Sequence, residues 1–88
     1  MPDTWDKDPE SVLSYQIDWT DWLNGDTIST SSWTVFGVTK DSDSKTSYVT
    51  TITISGGTPG QTAKAVNHIV TAAGLEEDRT LTWHIKEL

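Results

Sequence analysis

Short runs of alternating apolar and polar residues, separated by turn-forming residues, most limit how this chain can fold. The clearest run has four apolar side chains at alternate positions: Leu13, Tyr15, Ile17 and Trp19. Alternation with a period of two is typical of a strand that buries one face. The end of the chain alternates in the same way, with Leu81, Trp83 and Ile85 on one predicted inner face. These runs predict the first and last strands of a sheet structure.

Two further extended runs lie between these strands. Residues 27–36 have apolar positions that change from even to odd numbers, which predicts a bulge near Ser31 and Ser32. Residues 40–45 are polar and charged, and we expect them to form a loop. The next run carries Ile52 and Ile54 on one face and is followed by a glycine-rich turn at residues 56–60.

Residues 61–74 fit two interpretations. A helical stripe would consist of Val66, Ile69, Val70 and Ala73, whereas a strand face would consist of Ala63, Ala65, Ile69 and Thr71. Periodicity alone leaves both open. If the segment is a strand, a turn at residues 74–78 would join it to the last strand as a hairpin.

The spacing of these runs predicts an all-β fold, a small antiparallel β-sandwich. The 88 residues are enough for one small domain. The chain has no cysteine, which excludes disulfides, thiolate zinc sites and cysteine nucleophiles. Stability must therefore come from apolar burial, and we expect Trp19, Trp33 and Trp83 to supply much of the core.

Charge and hydropathy exclude several classes of partner. The formal charge of -7 repels phosphate, so nucleic acid is not an expected ligand. No run of residues is apolar enough to span a membrane, and the first ten residues do not have the pattern of a signal peptide. We expect a soluble protein that is made in the cytoplasm.

The beginning of the chain differs from the rest. Residues 1–10 contain two prolines and a single large apolar side chain, Trp5, which predicts an extended arm preceding a domain of residues 11–88. Trp5 either folds back onto its own domain or docks on a neighbour. Trp22 follows a strand end and either caps the sandwich or is exposed. The candidate interface residues are therefore Trp5, Asp8, Pro9 and Trp22, and we expect the domain to fold without residues 1–10.

Few residues suggest catalysis or metal binding. His68 and His84 would face each other in one register of the predicted hairpin, but two ligands rarely make a metal site. Asp41 and Asp43 resemble the start of a calcium loop that lacks its glycine and closing glutamate. We predict no catalytic residue, no metal site and no cofactor.

Several patterned residues, at spacings that extend over nearly the whole chain, point to a known family. They are Lys7-Asp8-Pro9, Tyr15, Asp18-Trp19, Trp22-Leu23, Gly25-Asp26, Ile28 and Trp33, then the turn at residues 55–60 and the series Asn67, Ile69, Thr71 and Gly74. In this pattern the chain resembles the fiber–tail adaptors, small virion proteins of tailed bacteriophages and prophages. One departure is Ala63, at a strand position where relatives tend to have an aromatic residue.

The resemblance implies an immunoglobulin-like β-sandwich and a strand at residues 61–74. It also implies a non-enzymatic protein of the virion tail or head–tail junction that joins tail, portal or connector proteins to a fiber. Assembly in several copies, as a homo-oligomeric ring, belongs to the same expectation.

Three alternatives remain open. A carbohydrate-binding module would present Trp22 and Trp33 as coplanar exposed rings. A capsid decoration protein would need the same acidic, sheet-rich module as a tail adaptor. A small hydrolase or metal enzyme would need a constellation of groups that the sequence does not contain.

Overall fold

The computed structural model describes residues 4–87, which form seven strands and one short helix. In chain order these are β1 (Thr4–Lys7), β2 (Leu13–Asp18), α1 (Thr20–Leu23), β3 (Ile28–Phe36), β4 (Thr39–Lys45), β5 (Val49–Ser55), β6 (Thr62–Thr71) and β7 (Glu76–Ile85). The predicted all-β class is confirmed. Residues 1–3 of the predicted arm and residue 88 lie outside the described residues.

The strands form two sheets that pack face to face. One sheet has the order β1-β7-β6-β3, and the other has the order β2-β5-β4. Every strand pair is antiparallel except β1 with β7, which is parallel. The antiparallel pairing predicted for the sandwich therefore holds for β2 to β7, and the parallel strand β1 belongs to the segment predicted as an arm. β1 and β7 are the first and last strands of the chain, so no hairpin joins them. Parallel pairing is therefore possible between them.

The core lies between the sheets and is built from the inner faces of the alternating strands. Trp19, Trp33 and Trp83 are all buried, as predicted. Ala63 is also fully buried and lies opposite Trp83 in the register of β6 and β7. A small residue on β6 is thus paired with a large ring on β7.

Asn67 connects the two sheets through a buried polar network. Its Oδ1 accepts hydrogen bonds from Trp19 Nε1 at 3.1 Å and from Thr50 Oγ1 at 2.7 Å. Its Nδ2 donates to Ser31 Oγ and to the carbonyl oxygen of Ser32, both at 2.9 Å. All the hydrogen-bonding groups of this amide are used, which is the condition for burying a polar side chain without a large cost.

The ambiguous segment is strand β6, and its hairpin turn comes earlier than predicted. Thr71 N–H donates to the carbonyl oxygen of Leu75 at 2.8 Å, and Gly74 takes a left-handed φ of 87° inside the turn. The predicted turn through residues 74–78 is therefore wrong in position, since strand β7 already begins at Glu76. The register pairs His68 with Asp78, so His68 and His84 are not opposite each other.

Two other sequence expectations differ from the structure. Residues 40–45 belong to strand β4, whose side chains are all exposed, so no apolar alternation marks it in the sequence. Its charged side chains are typical of an edge strand protected from unwanted pairing. The register shift in β3 lies between Ile28 and Thr30 rather than near Ser31 and Ser32.

The glycine-rich turn at residues 56–60 needs a glycine because it packs against the last strand. Gly57 has a φ of 114°, and a Cβ atom there would lie 2.8 Å from Ile85 Cδ1. A left-handed φ and a close approach both favour glycine.

Candidate protein-binding groove

The arm predicted for residues 1–10 is in part a strand of the domain. Strand β1 pairs with Thr82–Ile85 of β7, and the ring of Trp5 packs against Tyr15 and Trp83. The centroid of the Trp5 ring lies 4.9 Å from the ring centroid of Tyr15 and 6.2 Å from that of Trp83. The sequence left open whether Trp5 packs on its own domain or docks on a neighbour. In the structure, the ring packs on its own domain.

Lys7, the last residue of β1, is completely buried and fastens this strand to two loops. Its Nζ donates to the carbonyl oxygens of Asp8 at 2.9 Å, Ser11 at 2.8 Å and Gly56 at 2.7 Å. Three acceptors match the three donors of an ammonium group. Burial lowers the pKa of Lys7 below its ordinary value, while the carboxylates of Asp8 and Asp41 act in the opposite direction.

The expectation that the domain folds without residues 1–10 stays a prediction, and these contacts count against it. Deletion would remove strand β1, the Trp5 ring and the Lys7 ammonium group together, leaving an unpaired edge on β7 and unsatisfied carbonyl oxygens. We therefore expect such a truncated chain to lose most of its stability. The sequence contains no apolar pattern in this segment from which the strand could be identified.

A groove of 340 Å³ opens on the side of the sandwich where β1, β2 and β7 meet. Trp5 and Trp22, two of the predicted interface residues, both line it. The other lining residues are Gln16, Ile17, Asp18, Thr20, Asp21, Arg79 and Leu81. The groove combines an apolar floor with charged walls, as protein-binding pockets commonly do.

The short helix α1 places Trp22 at the groove. This ring remains 38% exposed and packs edge-on against buried Trp19, with 5.6 Å between the ring centroids. The guanidinium of Arg79 lies over the Trp19 ring at 5.3 Å, a cation–π contact. The Asp18 carboxylate accepts hydrogen bonds from the hydroxyl and amide of Thr20, which lower its pKa. The Asp18 carboxyl group is thereby held in its ionised form.

Asp8 and Pro9, the other predicted interface residues, lie in the turn after β1 and do not line the groove. Asp8 organises this turn, because its carbonyl oxygen accepts from Ser11 and its carboxylate accepts from the Glu10 amide at 2.8 Å. The role of Asp8 and Pro9 in an interface stays a prediction. Arg79 and Asp21 were not predicted as site residues, because only the folded chain brings them beside the two tryptophans.

The polar residues considered for metal binding have protein partners. His68 Nδ1 hydrogen-bonds Asp78, and His68 Nε2 lies 2.9 Å from Glu76 Oε1. Asp43 pairs with Lys40 at 3.1 Å, and Asp41 accepts from Ser55 at 2.8 Å. Among residues 4–87, no group of three histidine or acidic side chains is arranged to hold a metal ion.

Trp33 is only 7% exposed, so Trp22 and Trp33 do not form the exposed pair of rings that a carbohydrate-binding module would need. In the described part of the chain, no helix has both the length and the hydropathy to cross a membrane.

The fold and the groove define a class: a small β protein of two packed sheets, with an aromatic groove at the side where β1, β2 and β7 meet. The family model described as podophage GP4 fiber-tail adaptor protein gp77 matches residues 7–84. The chain belongs to this family of fiber–tail adaptors, as its motifs predicted. Comparison with curated proteins finds no match.

Proposed function

We propose that this chain is a non-enzymatic structural protein of the virion that joins tail or head–tail connector proteins to a fiber. The observation that carries this proposal is the family match over residues 7–84. The structure supports it with a groove that brings Trp5 and Trp22 together, since exposed tryptophans are frequent anchors in protein interfaces.

The proposal includes an immunoglobulin-like connectivity. The sheets β7-β6-β3 and β2-β5-β4 have the order of the G-F-C and B-E-D strands of immunoglobulin domains, when the seven strands are lettered in chain order. Such sandwiches commonly act as rigid supports for binding surfaces at their loops and edges.

The proposal also includes a ring of several copies around the tail. In the described part of the chain, β3 and β4 end their sheets on the side opposite the groove, and their outer edges are available for such contacts. Capsid decoration is the remaining alternative, but the family description favours the tail.

A phage in which this gene is interrupted tests the proposal. We expect particles with normal heads but without fibers, and addition of the purified chain to these particles should restore fiber attachment. Mass spectrometry of purified particles should find the chain in tail fractions. Particles that carry a full set of fibers in its absence would refute the adaptor role.

A further inference from the structure

Among residues 4–87, one edge of strand β7 is only partly covered. The strand runs from Glu76 to Ile85, but β1 pairs only with its last four residues, Thr82–Ile85. Within the described residues, positions 76–81 have a strand partner on the β6 side only. An uncovered edge offers backbone donors and acceptors to another extended chain.

The hydrogen-bond pattern of the hairpin identifies the groups on this edge. Thr71 N–H donates to the Leu75 carbonyl, and Ile85 N–H donates to the Gln61 carbonyl at 2.9 Å. Because hydrogen-bonded pairs alternate in an antiparallel ladder, the odd-numbered residues of β7 point their backbone groups toward β6. The even-numbered residues at 76, 78 and 80 therefore point theirs toward the open edge.

Two contacts agree with this assignment. The amide of Lys86, also an even-numbered residue, donates to the carbonyl oxygen of Lys7, which lies on the β1 side. The amide of Asp78 donates to the side chain of Glu77 at 3.0 Å, so in the isolated chain this edge donor is capped by a neighbouring carboxylate. An incoming strand would replace that contact with a backbone hydrogen bond.

The groove lies beside the open edge. Arg79 and Leu81 belong to the uncovered part of β7 and also line the groove, together with Trp5 and Trp22. Because side chains of a strand alternate between its two faces, a strand added to β7 would direct alternate side chains into the groove. The cavity of 340 Å³ is large enough to receive a bulky apolar side chain.

We propose that residues 76–81 of β7 accept an extended segment of a different virion protein as an additional strand. The segment inserts an apolar side chain between Trp5 and Trp22 and places a basic residue beside Asp18 and Asp21. This inference rests on the proposed adaptor function and specifies how one partner binds.

Charge selects a different protein over a second copy of this chain. The groove presents the carboxylates of Asp18 and Asp21, with Arg79 already engaged over Trp19. A second copy carries 13 acidic and 6 basic residues, so its approach to an acidic groove is opposed by repulsion. A basic, apolar segment is complementary to both the wall and the floor.

Overlapping synthetic peptides that cover the fiber and tail proteins of the same phage are suitable probes. The isotope-labelled full chain is titrated with each peptide and followed by amide NMR and tryptophan fluorescence. We expect binding peptides to shift and protect the amides of Glu76 and Thr80, and to change the emission of Trp22.

Thr80→Pro tests the strand addition directly. Proline removes an amide hydrogen that faces the open edge and leaves the bonds to β6 in place. We expect it to weaken peptide binding about tenfold, the loss of roughly one well-made hydrogen bond. Thr80→Ala keeps the amide hydrogen and is the matched control, with near-normal binding; thermal unfolding verifies that both variants fold.

Asp21→Lys tests the charge assignment, with Glu10→Lys as a control that makes the same charge change in the turn after β1. Asp21→Lys should weaken binding of the basic peptide, whereas Glu10→Lys should not.

Equal binding by Thr80→Pro and Thr80→Ala, or equal binding by the two charge variants, overturns the inference. If whole fiber or tail proteins bind Thr80→Pro and Asp21→Lys normally, the inference fails and the adaptor function stands. If they do not bind even the unaltered chain, the adaptor function itself fails.

Discussion

Asn67 is the residue at which the hydrogen bonds of the two sheets converge. Its side chain joins Trp19 and Thr50 on one side to Ser31 and Ser32 on the other, and it is completely buried. The sequence motif that contains Asn67 is therefore explained by packing, because Ile69 is buried in the core and Thr71 closes the hairpin turn. None of these three positions needs a role in partner binding.

Asn67→Ala should lower the free energy of unfolding by about 3 kcal/mol, since it leaves several buried polar groups without partners. Urea unfolding followed by tryptophan fluorescence measures the change. Ser31→Ala is the control: it removes one contact of a half-buried hydroxyl and should cost only about 1 kcal/mol. Equal effects of the two substitutions would show that the network is not centred on Asn67.

His68 gives the stability of the chain a dependence on pH. Hydrogen bonds to Asp78 and then Glu76 raise the pKa of His68 above its ordinary value of 6.5. The folded state therefore binds the proton more tightly than the unfolded state, and the stabilisation is fully present below the unfolded pKa. It is lost as the pH rises through the higher folded pKa.

We expect the melting temperature to fall as the pH is raised from below 6.5 through the folded pKa, by an amount that high salt reduces, since the cluster is exposed. His68→Asn should flatten this part of the pH profile, and His84→Asn should leave it. Thermal melts across this pH range provide the measurement. If the melting temperature of His68→Asn depends on pH as strongly as that of the unaltered chain, a group other than His68 causes the dependence.

At the scale of elements, β1 is a strand that its own sequence does not predict. It has four residues, of which Trp5 is half-buried and Lys7 is buried. Its stability comes from the parallel pairing with β7, the aromatic contacts of Trp5 and the three hydrogen bonds of Lys7. Strand β7 and the Gly56 carbonyl are distant from β1 in sequence, so tertiary contacts override the weak local propensity.

Lys7→Met should destabilise the chain by about 2–4 kcal/mol, because a similar apolar volume replaces the ammonium group but removes the donor to the partly buried carbonyl oxygens of Ser11 and Gly56. Lys86→Met is the matched control, since the Lys86 side chain forms an exposed ion pair with Asp6 at 3.1 Å. Denaturant unfolding of the two variants measures the difference. If Lys7→Met is as stable as the Lys86 variant, the buried lysine does not hold β1.

At the scale of the whole molecule, acidic charge distinguishes two kinds of association. Copies that each carry a formal charge of -7 repel one another, and salt reduces this repulsion. A basic partner segment is attracted by the same charge, and salt weakens that attraction. The two associations should therefore respond to ionic strength in opposite directions.

We predict that raising the salt concentration increases the mass of any homo-oligomer and decreases the affinity for groove-binding peptides. Light scattering and fluorescence titration over the same salt series provide the two measurements. If both associations strengthen with salt, apolar contacts dominate and the charge argument for a different partner is wrong.

The period of the apolar residues was sufficient to predict the all-β class and most of the inner faces. Leu81, Trp83 and Ile85 are buried as expected, although the hairpin turn was placed too late. The true turn is centred on Ala73 and the predicted one on Glu76, and this difference keeps the same residues on the inner face while changing their partners. Alternation encodes which face a side chain occupies, but the register is decided by turn geometry.

Local periodicity and motifs were enough to predict the β class, the tryptophan core and the adaptor family. The folded chain was needed to find that Lys7 is buried, that β4 is a strand and that Trp5 and Trp22 share a groove with Arg79. The physical reason is the range of the interactions. Periodicity is a local property of neighbouring residues, whereas edge pairing, burial of a charged group and the assembly of a groove depend on contacts between segments far apart in the chain.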